Sequence, residues 1–258
     1  MVNKPAPALF CGHGSPTNAI DAKSRARAGW REVGQMLGKP RAILALSAHW
    51  PTRGTFVRSS ATNEPINDMY GFPEQLYQVH YEPAGAPDVA ERAIELGGGM
   101  VRDTDTWGID HGVWSVLRNM YPEADVPVVM MSTYFEAPAE WHFKLGQRLA
   151  PLRDEGVMIL ASGNVVHNLS LVDWENPNGE PWADAFDETV RAAVASGRFD
   201  MALNYQGIEG WEKAVPTNEH YLPLLTVLGA ARVGDSVGVF SNYCELGSMS
   251  MTSYAFGA

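Results

Sequence analysis

The chain has 258 residues, 45% hydrophobic and 19% charged, enough apolar material for a sizeable buried core. Its formal charge is −11 with 19 basic residues, which argues against the concentrated cationic surface that a nucleic acid or an anionic membrane would need. No stretch reaches the ~18 apolar residues of a membrane span, and Met1 to Pro7 holds no apolar leader core. Two cysteines, Cys11 and Cys244, sit in apolar strand-like runs and read as buried, reduced thiols. A soluble cytoplasmic protein is expected.

In chain order, the apolar run Ala8 to Cys11 reads as a buried strand. It stops at Gly12, and His13 stands where the chain turns, between two glycines and ahead of Pro16. Asp21 can cap a helix running to Leu37, with Ala26, Trp30, Val33 and Leu37 on one face. Arg41 to Ala48 contains Ala-Ile-Leu-Ala-Leu, a continuous apolar run typical of a strand buried on both faces, after which His49-Trp50-Pro51 leaves the sheet. Residues 54–58 form another short strand. From Ser59 to Pro87 the chain is aromatic, proline-rich and weakly periodic, the composition of a lid or site wall.

A helix from Asp88 to Leu96 ends in three glycines. The loop Trp107 to Gly112 leads into a short helix from Val113 to Met120, then a strand over Val126 to Thr133 and a helix over Pro138 to Leu152. Val157 to Ser162 is a further buried strand, leading to the turn at His167. Trp182 to Ser196 is amphipathic, and Asn204 to Val215 is irregular with a short helical piece. Asn218 can cap a helix that carries His220. Ser236–Tyr243 and Ser248–Ala255 close the chain and should pair antiparallel. Strands alternate with helices, so the expected fold is α/β: a single domain over residues 1–258, with a three-layer α/β/α arrangement and a central, mostly parallel mixed sheet.

Five of the seven histidines (His13, His49, His111, His167 and His220) stand beside Gly, Asn, Asp or Glu at a strand end, a loop or a helix start. His80 and His142 have weaker contexts, a possible pocket wall and a packing position. In open α/β sheets the loops beyond the carboxyl ends of strands form the ligand crevice, so the loops of His13, His49, His167 and His220 are read as converging on one metal ion. Imidazole-rich sites suit zinc and iron. A closed structural zinc site is usually thiolate-rich, which two buried cysteines do not supply, whereas a catalytic site keeps a position open. Two histidines and a carboxylate suit non-heme iron(II). Either Glu219 or His220 can be the third ligand, because neighbours on a helix diverge by about 100°. No nucleophile elbow, P-loop or dinucleotide fingerprint is present.

His13-Gly14-Ser15-Pro16, Ser47-Ala48-His49-Trp50, Gly108 to Trp114, Gly163 to Asn168 and Glu219 to Leu224 occur in order. Together they resemble the DOPA 4,5-dioxygenase (extradiol) family of the class III extradiol ring-cleaving dioxygenases, which are related to the catalytic subunit of protocatechuate 4,5-dioxygenase. The likeness runs from about Pro7 to Phe256. It implies a catalytic domain that opens a catechol with dioxygen to a muconic semialdehyde, using Fe(II) for turnover; Zn(II), found in some members, would not support oxygenation. It implies His13 and His49 as metal ligands and puts His220 ahead of Glu219 as the third. His167 is implied as acid/base residue or fourth ligand, and His111 as a second pocket histidine. Ser15, Trp50 and Tyr221 are expected to contact substrate, with Tyr70, Phe72 and Tyr77 as further aromatic wall, while Asp110 either orients an imidazole or caps a helix. Arg41, Arg53 and Arg58 are candidate partners for a substrate carboxylate. The expected partners are a small catechol and dioxygen, with no nucleic acid and no membrane; the oligomeric state stays open. A zinc hydrolase on the same histidines and a non-catalytic metal- or ligand-binding protein are the rival readings.

Overall fold

The computed structural model describes residues 4–258; Met1–Asn3, part of the stretch read above as lacking a leader, lie outside them. In chain order the elements are β1 (Ala8–Gly12), α1 (Arg25–Leu37), β2 (Ala42–Thr52), β3 (Thr55–Arg58), α2 (Glu74–Tyr77), α3 (Pro87–Gly97), β4 (Val101–Thr104), α4 (His111–Met120), β5 (Val128–Tyr134), α5 (Ala139–Leu149), β6 (Val157–Gly163), α6 (Pro181–Ala195), α7 (Phe199–Leu203), α8 (Trp211–Ala214), α9 (Leu222–Ala230), β7 (Val237–Phe240), β8 (Cys244–Glu245), β9 (Met249–Ser250) and β10 (Ser253–Phe256). Eight strands form one sheet in the order β4-β3-β5-β2-β6-β1-β10-β7, and β8 and β9 form a small hairpin beside it. The centre of the sheet, β5-β2-β6-β1, is parallel throughout. The expected antiparallel closure appears as β10 between β1 and β7.

The central strands read as unbroken apolar runs because both faces are covered. Successive side chains alternate between two cores. Ala8 and Phe10 pack with residues of α3, α5, α6 and α9, while Leu9 and Cys11 pack with residues of α1 and α4. The fold class is therefore as expected, α/β with helices on both faces of a mixed sheet. No helix of the described residues is long and apolar enough to cross a membrane. Cys11 and Cys244 are free and buried, and burial pushes the Cys11 thiol up to about 12.

Several boundaries differ from expectation for identifiable reasons. Ser24, not Asp21, caps α1, accepting from the Arg27 N–H at 3.2 Å; the Asp21 carboxylate instead closes a local turn on Lys23 N. Strand β4 escaped notice because it is an edge strand with one buried side chain, Val101. Helix α4 starts at His111, two residues early, because Asp110 caps it through Val113 N. Helix α9 starts only at Leu222; the Asn218 carbonyl accepts from Tyr221 N and Leu222 N, so His220 sits in the turn before the helix.

One buried cation ties the far edge of this architecture together. The Arg153 guanidinium, shielded from solvent, donates to Asp235 Oδ2 at 2.7 Å and to the carbonyls of Ala6, Ala230 and Phe256 at 2.7, 2.8 and 3.3 Å. It thereby joins the approach to β1, the end of α9 and the end of β10. Burial would raise the Asp235 carboxyl, but the hydrogen bonds from Arg153 and the Arg232 backbone hold it below its usual value. Removing one partner of a buried pair strands the other's charge, so Asp235→Ala should lose about 3 kcal/mol of stability in urea titration. A depressed folded-state value gives stability that is present above about pH 4 and lost at lower pH. The gap between wild type and variant should therefore shrink as the pH is taken down into the acid range.

Candidate metal centre

The site lies beyond the carboxyl ends of β1, β2 and β6, three adjacent parallel strands. His13 directly follows β1, and its N–H donates to the Gly163 carbonyl at the end of β6 at 3.3 Å. His49 lies within β2 at a break in register: Ser47 pairs with Ser132 and Pro51 with the next residue, Thr133. Ala48, His49 and Trp50 are thus looped out opposite a single peptide step of β5, as in an enlarged β-bulge. The run that was expected to leave the sheet at His49 instead bulges there and rejoins it. His220 is held by its own backbone, whose carbonyl accepts from Asn164 N at 3.0 Å. That approach requires Gly163: a Cβ there would come within 2.2 Å of the His220 oxygen.

Three ring nitrogens converge. Nε2 of His13 and Nε2 of His49 are 3.0 Å apart, and one nitrogen each from His13, His49 and His220 lie within 4.8 Å of one another. Each opposite ring nitrogen has its own acceptor. His13 Nδ1 donates to Ser162 Oγ at 2.9 Å, whose hydroxyl donates in turn to the Gly112 carbonyl at 2.5 Å. His49 Nδ1 lies 3.2 Å from Asp68 Oδ2. His220 Nδ1 donates to Glu219 Oε1 at 3.0 Å, which leaves its buried Nε2 without a partner. An acceptor on one nitrogen fixes the tautomer and turns the lone pair of the other toward the centre, as in metal-bound histidines.

These donors fit a cation. Two nitrogens about 2.1 Å from one ion and about 90° apart are separated by about 3.0 Å. Burial, then the neighbouring histidines, pushes His13 and His220 well below the usual imidazole range, so both present lone pairs at neutral pH. Glu219 serves as acceptor for His220, and the two adjacent residues do not compete for the same place.

Asp68 is the residue that sequence reasoning missed. Its carboxylate accepts from His111 Nδ1 at 2.8 Å and from the His111 backbone N–H at 2.9 Å, besides facing His49. Burial would raise its carboxyl, but the hydrogen bonds from His111 and His49 outweigh that and hold it well below the carboxylate range. The only signal was its place in the segment read as a site wall. Asp110, the residue suspected of orienting an imidazole, acts as helix cap and accepts from Ser47 Oγ and Trp107 Nε1 at 2.7 and 3.0 Å.

A cavity of about 890 Å³ opens over the cluster, lined by His13, Ser15, His49, Asp68, His111, His167, Glu219 and His220, with Tyr70, Phe72 and Trp174 among its outer residues. The His167 ring stacks on that of His220, centroids 3.5 Å apart and planes within 7°. Burial, then His49, lowers His167 to about 4 against the opposing pull of Glu219, so this imidazole is neutral around pH 7.

Two expected substrate contacts are not on this cavity. Trp50 is buried and stacks on Trp107 at 5.9 Å, because the bulge that presents His49 turns its neighbour to the other side. Tyr221 is fully buried, donates its hydroxyl to the Ala202 carbonyl at 2.9 Å and packs on Tyr205. Tyr77 does not line the cavity either; its hydroxyl accepts from Phe72 N. His142 is a buried packing residue bonded to the Tyr134 carbonyl, and His80 is exposed.

Known proteins identify the family. A family model described as the catalytic LigB subunit of aromatic ring-opening dioxygenase matches residues 7–257. A "4,5-DOPA dioxygenase extradiol" of Escherichia coli K12 is 45% identical over 257 residues, covering 97% of this chain and 94% of its own length. One of the same name from Beta vulgaris is 38% identical, covering 96% and 95%. A crystal structure of an uncharacterised protein from Escherichia coli K12 superimposes with a TM-score of 0.85 at 41% identity, covering 97% of this chain and 99% of the other. The resemblance drawn from five histidine-bearing blocks, the mixed sheet and the cavity above its central strands come together here: the chain belongs to the family of the catalytic LigB subunit of aromatic ring-opening dioxygenases.

Proposed function

We propose that the chain is a metal-dependent extradiol dioxygenase that opens a DOPA-like catechol with dioxygen to a muconic semialdehyde. The observation that carries this reading is the convergence of His13, His49 and His220, with the buried His220 Nε2 unpartnered. Family membership and the names of the relatives support the reaction class and the catechol; the zinc-hydrolase and non-catalytic binder readings have no comparable support. His13, His49 and His220 would hold the ion. Iron(II) bound there supplies the redox chemistry that ring opening by dioxygen requires, which zinc does not. Two free thiols accord with a cytoplasmic setting.

The remaining residues manage protons and position. His167, neutral and on the cavity wall, accepts a proton from a catechol hydroxyl as the substrate becomes an anion. His111, with Nδ1 committed to Asp68, offers Nε2 to the cavity as a second acceptor. Ser15 lines the same wall, its hydroxyl 2.8 Å from that of Thr17.

The deciding experiment is oxygen uptake by anaerobically iron(II)-loaded protein offered DOPA, with a visible spectrum recorded alongside. Stoichiometric uptake with a new yellow chromophore is expected; bound iron without uptake refutes the reading. His13→Ala should abolish metal retention in elemental analysis, and near-stoichiometric metal in that variant would exclude the ligand set. His167→Ala should lose about 10²- to 10⁴-fold in kcat with little change in catechol affinity; unchanged turnover removes it from the mechanism.

A further inference from the structure

The cavity wall contains no lysine or arginine. Its charged side chains apart from the histidines are the carboxylates Asp68 and Glu219. The three arginines that were candidates to meet a substrate carboxylate are all engaged elsewhere. Arg41 pairs with Asp88 at 2.7 Å, Arg53 with Glu136 at 3.0 Å and Arg58 with Glu64 at 3.3 Å, and none lines the cavity.

The outer part of the cavity is instead aromatic. Tyr70 and Trp174 line it while 91% and 57% exposed, unusual for side chains of that size, and Phe72 meets Trp174 edge to face with centroids 6.5 Å apart. Asp173 and Glu175 flank Trp174 in the chain. Aromatic faces attract cations, best when the ring is tryptophan. An anionic tail in the same space would face the carboxylates of Asp68 and Glu219 with no cationic side chain to meet it.

We infer that this site selects its catechol by the charge of the tail, taking an ammonium against Trp174, Phe72 and Tyr70 and rejecting catechols whose only tail charge is a carboxylate. The inference rests on the ring-opening reading and names the substrate class within it: catechols with an alkylammonium side chain. A substrate carrying both charges binds through its ammonium and leaves its carboxylate in solvent at the mouth.

The test uses two catechols of matched size, dopamine and 3-(3,4-dihydroxyphenyl)propionate, titrated calorimetrically into zinc-loaded protein, where no turnover intervenes. Dopamine should bind at least tenfold tighter, and its advantage should fall as salt screens the cavity's carboxylates. Trp174→Leu should retain its zinc and narrow the ratio to threefold or less. Equal affinity, tighter binding of the propionate, or no binding of either overturns the inference, and an unchanged ratio in Trp174→Leu overturns the aromatic role. Oxygen uptake with DOPA on iron-loaded protein decides the underlying reading separately. Uptake without charge selection sinks only this inference, and charge selection without uptake sinks only the ring-opening reading.

Discussion

Buried imidazole lone pairs that face one another are the constraint around which this molecule is arranged. His13 and His49 bring Nε2 atoms to 3.0 Å, with His220 nearby and its Nε2 unpartnered. Left so, three acceptors share one space with no protein donor between them. Protonating one ring would relieve the conflict, but burial and the other imidazoles push His13 and His220 the opposite way. A cation held between the rings satisfies all three lone pairs at once, and Ser162, Asp68 and Glu219 behind them favour the tautomers that would receive it. A divalent ion bound only to the folded state would also add to its stability in proportion to its concentration.

Backbone devices, more than side-chain choice, bring these groups together. In a strand a side chain can face only one of two cores, so a histidine inside β2 would ordinarily be buried among apolar residues. The looped-out residues of β2 release His49 from that alternation. At the end of β6, Gly163 lets the turn before α9 lie against the strand, which sets His220. Asp110 fixes the first turn of α4 and so the height of His111, while Asp68 reaches across from the irregular segment to hold its ring. Four distant parts of the chain thus meet over the sheet's parallel centre, where strand ends are close and covered on both faces.

The legible part of this arrangement was the part written in local pattern. Apolar runs with breaks after them revealed β1, β2, β5 and β6, and histidines at those breaks marked the site. The family resemblance ordered them into roles. What local pattern does not carry is direction. Trp50 and Tyr221 each sit beside a cavity histidine in sequence, yet each points into the core, because adjacent residues at a bulge or tight turn diverge. Asp68 was hidden for the converse reason. Its role depends on a long-range approach to His111, 43 residues away, and nothing in its neighbours distinguishes it from a surface aspartate. Trp174, in an acidic loop far along the chain, was invisible on the same grounds.

The charges around the cavity suit a neutral His167 to the role proposed for it. Asp68 and Glu219 carry two negative charges, and a divalent ion among neutral imidazoles balances them. A catechol that ionises there and sends its proton to solvent unbalances the site, and in a buried setting an uncompensated charge is strongly disfavoured. If the released proton stays on His167, the imidazolium restores neutrality within the site. Burial depresses His167 while the cavity lacks substrate, and a nearby anion raises an imidazole by the same electrostatic rule. Base strength at this position therefore rises as the substrate loses its proton, and the stacked His220 ring keeps the imidazole in place while it does so. A site with a lysine or arginine on its wall would have its counter-charge already in place and would give the proton less reason to remain.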